Sequence, residues 1–171
     1  MCPISDPVTG EFVDPCCVFT PYDLALRPFC IRDHAQLERW AENIQSSGYM
    51  ARFKPHTAAL AWNVIVCNGQ DVGAVWLERT EHSDEARLGI LLGEPALLGR
   101  GIGRRAILLT IEAVTRVHPL LFITLNVRES NERGIRCYEH CGFHVTSMSE
   151  RGEVGSTYKV ITMKKRISRA I

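Results

Sequence analysis

The stretch that most constrains the fold is "EPALLGRGIGRRAI", residues 94–107, where Gly99, Gly101 and Gly103 alternate with Arg100 and Ile102 before the chain turns into helix formers. Glycine at that spacing lets a backbone turn sharply and lie close to another surface. Ahead of it runs the extended, apolar "EARLGILLG". Behind it Ile102, Ala106, Leu109, Ala113 and Val117 recur at helical spacing as far as Pro119. Strand, glycine turn and helix therefore follow one another directly. Such a turn presents the unpaired first N–H groups of the helix and the positive end of its dipole. Two readings stay open, a turn that only starts a helix and a cradle for phosphate oxygens.

Two better-known phosphate loops do not match. A Walker loop needs Lys-Ser or Lys-Thr after its last glycine, and Gly103 is followed by Arg104 and Arg105. A dinucleotide fingerprint can be forced onto Gly101, Gly103 and Ala106, but it belongs after the first strand of a βαβ unit. Here the loop falls midway along the chain, after runs that read as an antiparallel meander. These are "AALAWNVIVC", "QDVGAVWLERT" and "EARLGILLG", the first two joined by the turn signal Asn68-Gly69.

Around this centre the order is mixed α/β. "DLALRPF" reads as a strand, and "RDHAQLERWAENI" as a helix with Asp33 as N-cap and Leu37, Trp40 and Ile44 on one face. Residues 45–56 read as a loop or short helix bordering a site. "LLFITLNV" reads as a strand buried on both faces, and "NERGIRCYEHCG" as a short helix closed by Gly142. "FHVTSMSE" and "STYKVITMKK" form a terminal hairpin, with Tyr158, Val160 and Thr162 on one face. Residues 1–20 read as an irregular arm, and 21–171 as a single domain, the number that 171 residues support.

Charge and cysteine usage narrow the partners. A formal net charge of +1 without a basic stripe gives no support for nucleic-acid binding. No apolar run reaches the roughly 20 residues of a membrane span, and the N-terminus lacks the pattern of a signal peptide, so a cytoplasmic protein is expected. Seven cysteines, an odd number, suggest reduced core residues rather than a disulfide scaffold. Among Cys137, His140, Cys141 and His144 only the two cysteines share a helical face, so no metal site is expected.

The second motif gives the glycines a meaning. In "NVRESNERGIRCYEHCGF", Asn131, Gly134, Tyr138 and Gly142-Phe143 follow the spacing N-x-x-A-x-x-x-Y-x-x-x-G-F, and the glycine loop follows R/Q-x-x-G-x-G/A with Leu98 in the first place. Together they resemble the coenzyme-binding motifs of the GNAT superfamily of N-acetyltransferases, over residues from about 70 to 163. The look is closest to its ribosomal-protein N-terminal and polyamine branch. The resemblance implies an α/β fold with a mixed, mostly antiparallel sheet of six to seven strands, about four helices, and a splayed parallel pair that holds acetyl-CoA. It places the diphosphate on the amides of Leu98, Gly99, Arg100, Gly101, Ile102, Gly103 and Arg104. The pantetheine arm would lie along Leu91, Leu92 and Gly93 and bond Asn131, and Tyr138 would protonate the departing sulfur. The other partner is an amine, of a small molecule or a peptide N-terminus, on a monomer or homodimer. The alternative from another class is a regulatory module that binds acetyl-CoA without turnover.

Transfer to an amine needs a neutral nucleophile, a polarised carbonyl and a proton for the thiolate. Candidate bases are Glu78, Glu85 and Glu94, with His82 behind them; Glu85 is preferred because it begins the strand leading to the glycine loop. An N–H at the splayed end of "LGILLG" would polarise the carbonyl, with Gly93 and Pro95 interrupting the ladder there. A phenol of pKa about 10 can give its proton to a thiolate whose acid is near 8.5, which suits Tyr138.

Overall fold

The computed structural model describes residues 22–43, 58–153 and 156–168. The arm at 1–20 and the loop at 45–56 lie outside the described residues. In chain order the elements are β1 (Leu24–Pro28), a 3-10 turn (Ile31–Asp33), α1 (His34–Asn43), β2 (Ala59–Cys67), β3 (Gln70–Arg79) and β4 (Glu85–Leu92). A second 3-10 turn (Pro95–Leu97), α2 (Ile102–Thr115), β5 (Phe122–Arg128), α3 (Glu132–His140), β6 (His144–Glu153) and β7 (Ser156–Arg166) follow. The seven strands form one sheet in the order β1-β2-β3-β4-β5-β7-β6. Every neighbouring pair is antiparallel except β4 and β5.

The expected meander is present as β2, β3 and β4. Asn68 and Gly69 both take positive φ, 49° and 77°, as the tight hairpin between β2 and β3 requires. Alternation along the strands sends two sets of side chains to opposite faces. One face carries Ile65, Val75, Leu77, Leu88, Ile123, Leu125 and Met163, and packs on Ile102, Ala106, Ile107 and Ile111 of α2. The other carries Trp62, Val64, Ala74, Trp76 and Leu91, and packs on Leu37, Trp40 and Ala41 of α1. There Trp62 and Trp76 stack at 4.7 Å. A β-carbon on Gly89 would lie 2.1 Å from the Trp76 ring, so the indole occupies the space a side chain on β4 would fill.

Three expectations change. Asp33 is not the N-cap of α1: it closes the preceding turn, its carboxylate accepting the Cys30 N–H at 2.8 Å and both terminal nitrogens of Arg27 at 2.8 Å. Arg27 also binds Asp71 on β3, so it ties the sheet edge to the entry of α1. The buried stripe of α2 is Ile102, Ala106, Ile107, Thr110, Ile111 and Val114, and the helix ends at Thr115. Ala113 and Val117 are exposed because the sheet presents a wide surface, which a helix covers with i, i+4, i+5 positions rather than one straight row. β5 is not buried on both faces: Ile123, Leu125 and Val127 are in the core, whereas Phe122, Thr124 and Asn126 are half-buried and Arg128 is exposed on the opposite side.

Candidate active site

The parallel pair opens soon after it forms. β4 and β5 are in register only from Glu85–Arg87 against Phe122–Thr124. Beyond that, β4 continues beside β3 alone as far as Leu92. The hydrogen-bond phase of β4 is set at both ends, by Thr80 N–H to Glu85 O and Gly93 N–H to Val72 O. Main-chain groups alternate sides in an antiparallel ladder, so those of Leu88, Ile90 and Leu92 turn toward the split. Gly93 does not interrupt the ladder as expected. It is glycine because a β-carbon would lie 2.0 Å from the Trp40 ring.

The glycine loop stands at the end of the split. Gly99 and Gly101 take φ of 75° and 79°, in the left-handed region where a side chain is disfavoured. Gly101 is the N-cap of α2, and no side chain caps the helix. The N–H groups of Ile102, Gly103 and Arg104 thus begin the helix without a side-chain acceptor. A β-carbon on Gly103 would meet Leu92 Cδ1 at 3.4 Å, Ile90 Cδ1 at 3.7 Å and Cys137 Sγ at 3.9 Å. The end of β4, the start of α2 and the inner face of α3 therefore meet at Gly103. The Nε of Arg104 is buried with no hydrogen-bond partner among the described residues. Arg105 turns away, to the carbonyl of Tyr22 at 3.3 Å.

α3 brings the second motif to the same place. Asn131 is its N-cap, with Oδ1 accepting the Gly134 N–H at 3.0 Å, and its Nδ2 group is the donor available for other contacts. Tyr138 is half-buried and edge-on to Phe143, with ring centres 6.2 Å apart. Gly142, at φ 86°, ends the helix as expected. Next to Tyr138, the Cys141 thiol donates to the Arg104 carbonyl at 3.9 Å and lies against Cys137; the pairing lowers the pKa of Cys137 and raises that of Cys141, and the Arg104 charge lowers Cys137 further. Among the described residues no cluster of His, Cys, Asp and Glu could hold a metal.

Glu85 does begin β4, but both of its oxygens are engaged. Lys164 Nζ lies 2.9 Å from Oε2 and Thr124 Oγ1 donates to Oε1 at 3.3 Å. Glu78, opposite Arg87 across β3 and β4, is buried. It lies two residue pairs nearer the open end than Glu85. Sequence reasoning missed the polar half of β5, Thr124, Asn126 and Arg128, which shares the α1 face with Arg87. The alternation was present in "ITLNVR" but the apolar neighbours hid it.

A mostly antiparallel sheet, opened between its two parallel strands and faced by a glycine-initiated helix, defines an acyltransferase-like α/β fold. Residues 19–144 match the family described as an acetyltransferase (GNAT) domain. The chain belongs to that GNAT acetyltransferase family. Among curated proteins no sequence matches. Solved structures agree in fold. A protein assigned as a phosphinothricin N-acetyltransferase is 14% identical, with TM-score 0.71 over 86% of this chain and 100% of that one. An aminoglycoside acetyltransferase in complex with coenzyme A and kanamycin is 18% identical, with TM-score 0.68 over 84% and 95%. A spermidine N-acetyltransferase chimera from Vibrio cholerae and hSSAT is 20% identical, with TM-score 0.67 over 84% and 95%. No described helix is long and apolar enough to cross a membrane.

Proposed function

We propose that the chain is an acetyl-CoA-dependent N-acetyltransferase that passes an acetyl group directly to a primary amine of a small molecule or a peptide N-terminus. One observation carries the reading: the uncapped start of α2 meets the open end of β4, with a buried Arg104 Nε, unpartnered among the described residues, beside it. An anion at the helix start would satisfy this donor together with the first amides of α2. The loop amides from Leu98 to Arg104 would hold the diphosphate, with exposed Arg100 adding charge. The pantetheine arm would run in the split past Leu92 and Gly93, within reach of Asn131 Nδ2.

Acetyl-CoA supplies the activated acetyl thioester, and the remaining steps fall to the chain. A main-chain N–H of β4 turned into the split, at Ile90 or Leu92, would polarise the carbonyl. Tyr138, two helical turns along α3 from Asn131, would give its proton to the sulfur. For the amine proton, Glu78 and Glu85 both lie on the α1 face. Glu78 suits the role better, because it is buried and lies nearer the open end of β4.

The test is CoA release with acetyl-CoA and a panel of amines and peptide N-termini. Tyr138→Phe is expected to lower turnover by about 10²-fold or more while leaving acetyl-CoA affinity nearly intact. Glu78→Gln is expected to lower the rate most at low pH, where the amine is protonated, and Glu85→Gln to change it less. Tight acetyl-CoA binding with no turnover on any acceptor would overturn the transferase reading in favour of a binding module.

A further inference from the structure

On the α1 face, the floor of the split is built by the last paired residues of β4 and β5. Arg87 stands there beside Thr124, with Glu78 opposite it on β3. Two residues before Arg87, Glu85 is neutralised by Lys164. Along β5 the same face continues through Asn126, whose Oδ1 accepts the Thr162 hydroxyl at 2.9 Å, to Arg128, which lies over the Tyr158 ring at 4.3 Å. The opposite wall is Gly89 and Leu91 under Trp76 and Trp40. Arg87 is exposed and has no hydrogen bond or ion pair among the described residues, unlike Arg27, whose guanidinium is held by two carboxylates. The mouth of the split thus carries two guanidiniums, one buried carboxylate and one neutralised pair.

We infer that the acceptor is a small amine bearing an anionic group, an amino acid being the simplest case, and that Arg87 holds that group, with Arg128 adding to the field. This rests on the transferase reading above. A guanidinium offers a carboxylate or a phosphonate two parallel N–H donors in fixed geometry. It also serves the chemistry. A zwitterionic acceptor has its amine protonated partly because its own carboxylate stabilises the ammonium; binding that carboxylate to Arg87 removes the effect and releases the neutral nucleophile more readily. A polycation such as a polyamine meets the same two positive charges as repulsion.

The experiment measures CoA release from acetyl-CoA with matched acceptors: an α-amino acid, its carboxamide, its decarboxylated amine, and spermidine. The amino acid is expected to exceed its carboxamide in kcat/KM by about tenfold or more, the size of one lost charge-assisted bond. Arg87→Gln is expected to bring that ratio toward one through KM, and Arg87→Glu to reverse it in favour of the cationic acceptors. Arg87 is exposed, so both variants are expected to keep the melting temperature of the parent. A preference for the carboxamide or for spermidine overturns the inference, as does a ratio unchanged in Arg87→Gln. Acetylation of these amines without an anionic preference overturns it while leaving the transferase reading in place. Acetyl-CoA binding without acetylation of any acceptor overturns both.

Discussion

Gly103 offers the sharpest separation between a loop that binds a diphosphate and one that merely begins a helix. A β-carbon there would find its nearest neighbour, Leu92 Cδ1, at 3.4 Å, an ordinary contact. Gly103 is also the second residue of α2, and alanine in a helix interior is better than glycine by about 0.5–1 kcal/mol, with less to gain near the end. Gly103→Ala should therefore leave the ligand-free protein as stable as the parent or raise its melting temperature by about 2 °C. Gly103→Leu adds three more carbons to a β-carbon that faces Leu92, Ile90 and Cys137, and so fills the junction where the first amides of α2 meet the end of β4. If these groups hold phosphate oxygens, losing two bonds of about 1.5–3 kcal/mol each weakens acetyl-CoA binding by roughly 10²- to 10⁴-fold. Titration calorimetry with acetyl-CoA reads the affinity, and ligand-free melting with helical circular dichroism confirms that α2 is intact. Gly101→Ala is the contrast: at φ 79° the side chain costs roughly 1–2 kcal/mol with or without ligand. Parent-like acetyl-CoA affinity in a folded Gly103→Leu would refute the diphosphate role.

Asn131→Asp keeps an N-cap acceptor for the Gly134 N–H but removes the Nδ2 donor, so a rise in the KM for acetyl-CoA at unchanged melting temperature is expected; an unchanged KM would leave Asn131 with capping alone. Gly93→Ala drives a β-carbon to within 2.0 Å of Trp40 and should destabilise the fold by about 1–3 kcal/mol in urea unfolding, through displacement of α1 from the sheet. Asp33 is buried, and the Arg27 guanidinium holds its carboxyl well below the usual carboxylate range. A depressed pKa contributes stability that is full above the unfolded value of about 3.9 and is lost as pH falls through the folded one. Asp33→Asn should thus be less stable than the parent by about 2–3 kcal/mol at pH 7, with the gap closing below about pH 4; a gap that stays constant into acid would assign the loss to packing instead.

What could be read from the chain beforehand follows the range of the interactions involved. Asn68-Gly69, Gly101 and Gly142 were legible because each answers a local backbone demand, a positive φ that its immediate neighbours create. The uncapped start of α2 was legible for the same reason, since a strand ending in glycines next to helix formers leaves its N–H groups open whatever packs around it. Gly93 was misread because its cause is not local: Trp40, on a helix formed much earlier in the chain, takes the space of its side chain. Asp33 was misread likewise, because a carboxylate before a helix looks like a cap until Arg27 arrives from β1. The polar face of β5 needed the sheet order, in which β4 and β7 flank β5 and bring Arg87 and Lys164 alongside Thr124. The division has a functional consequence. The part of the site that would hold the cofactor is built from backbone amides and local turns, which short motifs can reveal. The part that would choose the acceptor is built from side chains on β3, β4, β5 and β7, where exchanging Arg87 for a carboxylate would alter specificity without touching either motif.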